Sequence, residues 1–244
     1  MNKTTNPHKP WYSYKGGEYE DGPPFFYTSE TIPWAKKLEA NYAIIKPEIE
    51  KLMQSIGTSL DPYFNSELVH KKQSWKVGEF YFWSKKNEEL CKYIPELDKI
   101  LSSIPGFMTA GISVLSPNTD IKPHYGDTNT TLRAHLALKI PAKYPACGIG
   151  VGTEEMGWEE GKVLLFCDAN YHRAWNHSNA IRHVLIVDVL RDEFKEQQKN
   201  ICANVLSLIA LQKLEYKIPF VKSLPGFIRG AIRLMFKTPI YFKL

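Results

Sequence analysis

The chain has 244 residues, 43% hydrophobic and 13% aromatic, which excludes a disordered or fibrous protein and fits one large domain better than two. It contains no apolar run long enough to span a membrane. The net charge of +5 is concentrated in the tail, where Lys213, Lys217, Lys222, Arg229, Arg233, Lys237 and Lys243 face a single acid, Glu215. That tail carries +6 and everything before it about −1, so a nucleic-acid partner for the body of the protein loses its support.

Residues 1–7 lack the apolar core and cleavage site of a signal peptide. Residues 1–33 mix Pro, Gly and aromatics without a steady period and are expected to wrap the surface. Over 34–56, Leu38, Tyr42, Ile45, Ile49 and Leu52 recur at helical spacing, with a break or kink expected at Pro47. Residues 76–83 read as a strand. A second helical region over 87–104 is interrupted at Pro95 and ended by Pro105-Gly106.

From 107 to 189 the pattern changes to short apolar runs at 108–115, 133–140, 148–151, 163–166 and 183–189, separated by turn residues. Strands at this spacing predict an antiparallel barrel or sandwich. Helical signals return over 194–211, and 227–236 is a short basic amphipathic segment. That segment reads either as a helix packed on the barrel with its charges in water, or as an attachment to an anionic membrane surface or acidic partner. The division is thus 1–33, a central domain over 34–194 with its supporting helices, and a basic helical extension over 195–244.

Cys91, Cys147, Cys167 and Cys202 form no CxxC pair. Reduced, buried thiols are expected, which favours a cytoplasmic location with peripheral membrane contact left open.

The chemistry concentrates around two histidines. His124 lies in Lys122-Pro123-His124-Tyr125-Gly126-Asp127, and His172 follows Phe166-Cys167-Asp168, with Arg182 ten residues later. Imidazoles at the ends of two barrel strands can converge on one metal and leave coordination positions open. The usual third ligand of a non-haem iron site is a carboxylate two residues after the first histidine. Here that position is Gly126. Either two histidines and a cosubstrate hold the iron, or Asp127 reaches back through an unusual turn. The planar guanidinium of Arg182 suits bidentate binding of a carboxylate. Alternation places Arg133 and His135 on one face of their strand and Ala134 on the other.

The run 123–129, its spacing to Leu132-Arg133-Ala134-His135-Leu136, the block 158–166 and the run 184–189 together resemble the aspartyl/asparaginyl β-hydroxylase family. The resemblance is strong from about 113 to 188. It implies an α+β fold with a mainly β core, a double-stranded β-helix of jelly-roll or cupin type flanked by N- and C-terminal helices. It also implies an Fe(II)- and 2-oxoglutarate-dependent dioxygenase that uses O2, with glycine where the acidic ligand would stand. Carried over, His124 and His172 are the metal ligands. Arg182, assisted by Ser113, pairs with the distal carboxylate of 2-oxoglutarate. Arg133, Ala134 and His135 line the same pocket, and Trp83 closes it. Asp127 stands where relatives often have proline, and Cys167 where they often have aspartate.

The expected reaction is hydroxylation of an unactivated C–H bond, first of all the β-carbon of an aspartyl or asparaginyl residue in a protein, peptide or amino-acid derivative. A lipid A-type acyl chain at a membrane surface is the alternative substrate. A non-catalytic barrel that binds a small acid is the alternative from another class.

Overall fold

A computed structural model describes residues 8–13, 18–19, 22–56 and 60–243; the segment 1–7, read above for a signal peptide, lies outside them. In chain order the strands are β1 (Phe26–Tyr27), β2 (Asp61–Pro62), β3 (Trp75–Phe82), β4 (Lys85–Lys86), β5 (Phe107–Leu115), β6 (Thr119–His124), β7 (Thr131–Lys139), β8 (Cys147–Val151), β9 (Glu154–Met156), β10 (Val163–Phe166), β11 (His172–Asn176) and β12 (Arg182–Leu190). One sheet runs β1-β10-β7-β12-β5-β3-β2, with β4 on β3, and the other runs β6-β11-β8-β9. Named neighbours pair antiparallel. From β5 onward the chain passes back and forth between the two sheets, which makes β5–β12 a double-stranded β-helix.

The alternation of side chains along β7 divides two cores. Ala134, Leu136 and Leu138 face one way and pack with Leu165, Leu185, Leu38, Ile49 and Leu97. The last three belong to helices α1 (Pro33–Ala40), α2 (Tyr42–Ile56) and, after the short α3 (Glu88–Cys91), α4 (Pro95–Ser102). Ala137 faces the other way, into the space between the sheets, with Ile121, Ile149, Val151, Phe166 and Val184. Each fully buried aliphatic side chain contributes roughly 1.5–3 kcal/mol.

The helix expected over 34–56 breaks at Asn41, not at Pro47. The Asn41 amide donates to the Lys37 carbonyl, 2.8 Å away, and so competes with the helical ladder. Pro47 is carried inside α2.

Residues 11–13 lie over the barrel: the Trp11 backbone N–H donates to Asn129 Oδ1 at 2.8 Å, and Tyr12 bridges Thr128. At the other end, α5 (Gln198–Lys217) packs Ile201, Cys202, Val205 and Ile209 against Trp83, Met108, Leu190 and Phe194. α5 therefore shares the domain core, although the sequence reading placed it in an extension. The final helix, α6 (Gly226–Lys243), is longer than the 227–236 expected and lies along α5. All four cysteines are free and buried.

Candidate active site

β6 ends and β11 begins at one edge of the small sheet, and register puts His124 directly opposite His172. Their ring centroids are 4.2 Å apart. His124 Nδ1 lies 2.8 Å from the Lys122 carbonyl and His172 Nδ1 2.9 Å from the Asn170 carbonyl. A carbonyl only accepts, so each Nδ1 carries the proton and each Nε2 keeps its lone pair. Burial lowers the pKa of both imidazoles, that of His172 further because His124 adjoins it. Two neutral imidazoles with outward lone pairs are the form a metal binds.

Gly126 is required by a close approach. Its N–H donates to the Asp168 carbonyl at 2.7 Å. A Cβ at 126 would fall 2.5 Å from Asp168 Cγ and 2.7 Å from its backbone oxygen. The Asp168 side chain occupies the space that a carboxylate two residues after His124 would need. Among the described residues no cluster of three or more His, Cys, Asp or Glu is arranged to hold a metal.

Asp168 is held by Arg133, whose Nη1 lies 2.9 Å from Asp168 Oδ2. The other edge of the guanidinium grips Asp188 bidentately, Nε to Oδ1 and Nη2 to Oδ2, both at 2.8 Å. Asp188 is the register partner of Arg133 on β12. Burial pushes the Asp168 carboxyl upward against the pull of Arg133. Asp127 and Glu79 line the same cavity, and burial lifts the Asp127 carboxyl to about 6, again opposed by Arg133.

Arg182, the first residue of β12, is aimed between the sheets and is 1% exposed. The Asn176 amide secures the turn before it, donating to the carbonyls of Leu115 and Ala180. Arg182 Nη2 donates to Ser113 Oγ at 3.2 Å, and the guanidinium lies over the Trp158 ring at 4.9 Å. No described acid pairs with it, and burial lowers its pKa to about 10. Ser113 Oγ also accepts from Trp75 Nε1 at 3.0 Å. With both lone pairs engaged, its hydroxyl proton remains to be donated. Arg182 Nε, Trp158 Nε1 and His135 Nδ1 are buried and have no hydrogen-bond partner. His135 stacks on Trp158 at 6.0 Å and meets Phe166 edge-on at 5.0 Å; Phe166 in turn touches His172. A continuous lining therefore joins Arg182 to the imidazole pair.

The structure thus brings His124, His172, Ser113, His135 and Arg182 around one interior. The Ala134 side chain is not among them: it points into the helix-facing core. Arg133 faces the cavity with both edges already engaged. Trp83 lies farther out, beyond the strand end at Phe82, with its backbone N–H donating to Thr109 Oγ1. It walls an outer cavity of about 120 Å³ together with Tyr63, Phe64, Trp75, Phe82 and Ile209, floored by His124, Arg133 and the three aspartates. Cys167, in the loop after β10, is fully buried in a small cluster with Tyr19 and Ala169. Trp158 under Arg182, and Asp168 and Asp188 around Arg133, are site residues whose roles the sequence reading missed. Residues 158 and 188 lay inside the motifs, and only register shows whom they meet.

The profile of a family described as aspartyl/asparaginyl beta-hydroxylase matches residues 39–192. The chain is 33% identical over 173 residues to an ornithine lipid ester-linked acyl 2-hydroxylase from Rhizobium tropici, covering 70% of this chain and 62% of that one. It is 34% identical over 169 residues to aspartyl/asparaginyl beta-hydroxylase from Homo sapiens, covering 67% and 22%. It therefore spans less than two thirds of the length of either relative. A solved prolyl hydroxylase from Trichoplax adhaerens, in complex with a hypoxia-inducible-factor peptide, is similar at a TM-score of 0.46 and 12% identity, covering 66% of this chain and 81% of that one.

Proposed function

The chain belongs to the aspartyl/asparaginyl β-hydroxylase family, and from that premise we propose that it is an Fe(II)- and 2-oxoglutarate-dependent dioxygenase that hydroxylates an unactivated C–H bond. The observation that carries the proposal is Arg182: a buried cation with no acid of its own, among unpartnered donors, joined by a continuous lining to two neutral imidazoles. An uncompensated buried charge is costly, and a bound carboxylate would remove the cost.

These residues fit the cosubstrate and metal that the family implies. His124 and His172 would hold iron through Nε2. Arg182 and the Ser113 hydroxyl would take the far carboxylate of 2-oxoglutarate, with His135 and Trp158 donating along the same wall. When bound, iron and 2-oxoglutarate supply the oxidation: the cosubstrate loses CO2 and takes one oxygen atom of O2 to become succinate, while the other enters the substrate C–H bond. The protein's own work is orientation and dryness. The Lys122 and Asn170 carbonyls fix the imidazole tautomers, Arg133 fixes Asp168 beside them, and Phe166 and Trp158 keep water from the interior.

The outer cavity separates two substrate classes. The one cation among its described lining residues, Arg133, is already committed to two carboxylates, and Asp127 and Glu79 add two further acids. An aspartyl side chain would meet net negative charge there. The walls are predominantly aromatic and aliphatic, which supports an apolar chain, such as an acyl chain of a polar lipid, as the substrate. The β-carbon of an aspartyl or asparaginyl residue is the second reading, supported by the family's description.

The test is to load the protein with Fe(II) and 2-oxoglutarate under anaerobic conditions, admit O2 and measure succinate. Ornithine lipid micelles are compared with Asp- and Asn-containing peptides. Iron-dependent succinate release that disappears in His172→Ala and Arg182→Met is expected, with stimulation by the lipid. Stimulation by peptide alone would move the substrate to the second reading. A folded, iron-loaded protein that binds 2-oxoglutarate but never releases succinate would leave a small-acid-binding barrel.

A further inference from the structure

Helix α6 turns the expected arrangement of its charges inside out. Ile228, Ile232, Phe236 and Ile240 are partly buried along one side, and Arg229 and Arg233 are partly buried beside them. Arg229 Nε bonds Glu215 Oε1 at 2.7 Å, and Arg233 Nη1 lies 3.5 Å from Asn204 Oδ1, both on α5. Near the far end, Lys199 sits over the Tyr241 ring at 4.8 Å. The helix is therefore pinned to α5 along its length, and the opposite stripe cannot turn inward.

That stripe is Phe227, Ala231, Leu234, Met235 and Phe242, at i, i+4, i+7, i+8 and i+15. Phe227, Met235 and Phe242 are each more than three quarters or about three quarters exposed, at 78%, 75% and 77%. Tyr216, Ile218 and Phe220, at the end of α5 and in the turn before α6, are exposed as well. Contiguous apolar area of this kind on a folded protein marks a contact surface. Its neighbours in the chain are cationic: Lys217, Lys222 and Lys243 are exposed, and the only acid after position 212, Glu215, is engaged with Arg229.

We propose that this face is a docking surface for an anionic lipid bilayer. An apolar stripe inserts at the boundary between headgroups and acyl chains, while flanking lysines reach lipid phosphates with their long stems. No helix among the described residues is long and apolar enough to cross a membrane, so α6 would lie in the interface plane. A protein partner with an acidic apolar groove would need no such length of continuous stripe, and the single-sign charge of its chain neighbours matches a sheet of phosphates. α5, to which α6 is pinned, also supplies Ile209 to the wall of the outer cavity, so the docked face and the cavity share one helix.

Vesicle flotation tests this without any turnover. The full chain is mixed with vesicles of equal parts phosphatidylglycerol and phosphatidylcholine, or of phosphatidylcholine alone. Flotation with the first and much less with the second is expected, weakened as salt is raised from 0.1 to 0.5 M, where screening shortens to about 4 Å. The triple variant Phe227→Ser, Met235→Ser, Phe242→Ser should lose about tenfold or more in partitioning while melting like the parent, since the three side chains are in water. The control Ile44→Ser with Tyr93→Ser, exposed apolar groups elsewhere, should float normally. Equal flotation of the triple variant, or no flotation of the parent on anionic vesicles, overturns the proposal. A parent that is a dimer in solution, does not float and becomes monomeric in the triple variant would overturn it in favour of self-association.

Discussion

Arg133 and Arg182 stand on adjacent strands of one sheet, both aimed between the sheets, and the fold treats them in opposite ways. Arg133 makes three charge-assisted contacts to Asp168 and Asp188. Arg182, the more deeply buried of the two, has a serine hydroxyl and an indole face. The difference is one of purpose. The first guanidinium is satisfied by the protein and holds a loop beside the histidines. The second is left short of an anion, and a folded protein tolerates that where a ligand completes the site.

Removing each cation should move stability in opposite directions. Arg133→Met leaves two buried carboxylates without a counter-charge and is expected to destabilise the protein by about 3–5 kcal/mol, read from the denaturant midpoint. Arg182→Met removes a cation whose pKa burial has already lowered. The ligand-free protein should be unchanged or more stable by about 1 kcal/mol, while its affinity for 2-oxoglutarate falls about a hundredfold, or ~2.7 kcal/mol. Equal destabilisation by the two variants would show that Arg182 is a structural ion like Arg133.

The comparison sharpens at Gly126, which lets Asp168 sit where Arg133 holds it. Gly126→Ala drives a methyl into the Asp168 carboxylate and carbonyl. Overpacking of this kind costs about 1–3 kcal/mol, and displacement of Asp168 loosens one of the Arg133 contacts. Thermal unfolding of the metal-free protein measures the cost. An unchanged melting temperature would mean that Asp168 is free to move and that the loop is not clamped.

How much of this the sequence carried depends on the residue. The strands at 108–115 and 163–166 were legible because their apolar runs are buried and bounded by turn residues. β6 and β11, which bear the histidines, were not legible as apolar runs. β6 reads Thr-Asp-Ile-Lys-Pro-His and alternates buried with exposed, so the motif singled out His124 where periodicity could not. The pairing of Arg133 with Asp188 spans 55 residues and depends on strand register, which no local pattern encodes. Helix α6 carries apolar residues on two sides, and its sequence alone did not say which side α5 would cover. The answer put the arginines inward and Phe227, Met235 and Phe242 out.

The smallest expected effect tests whether Arg133 is already saturated. If it is, Asp127 is one carboxylate more than the guanidinium can neutralise. Burial lifts its carboxyl to about 6, against about 3.9 in an unfolded chain. The folded state then holds a proton more tightly than the unfolded state between those values, so native stability falls as pH rises through the window, and the full cost is present above it. Asp127→Asn removes that cost. The two proteins should be equally stable near pH 4 and diverge by pH 7, with the asparagine variant ahead by about 1 kcal/mol once partial exposure is allowed for. Urea unfolding of the metal-free proteins at a series of pH values reads the difference directly. A gap that opens the other way, with the aspartate more stable at neutral pH, would mean that Arg133 serves Asp127 as well, and that its share for Asp168 and Asp188 is smaller than their contacts suggest.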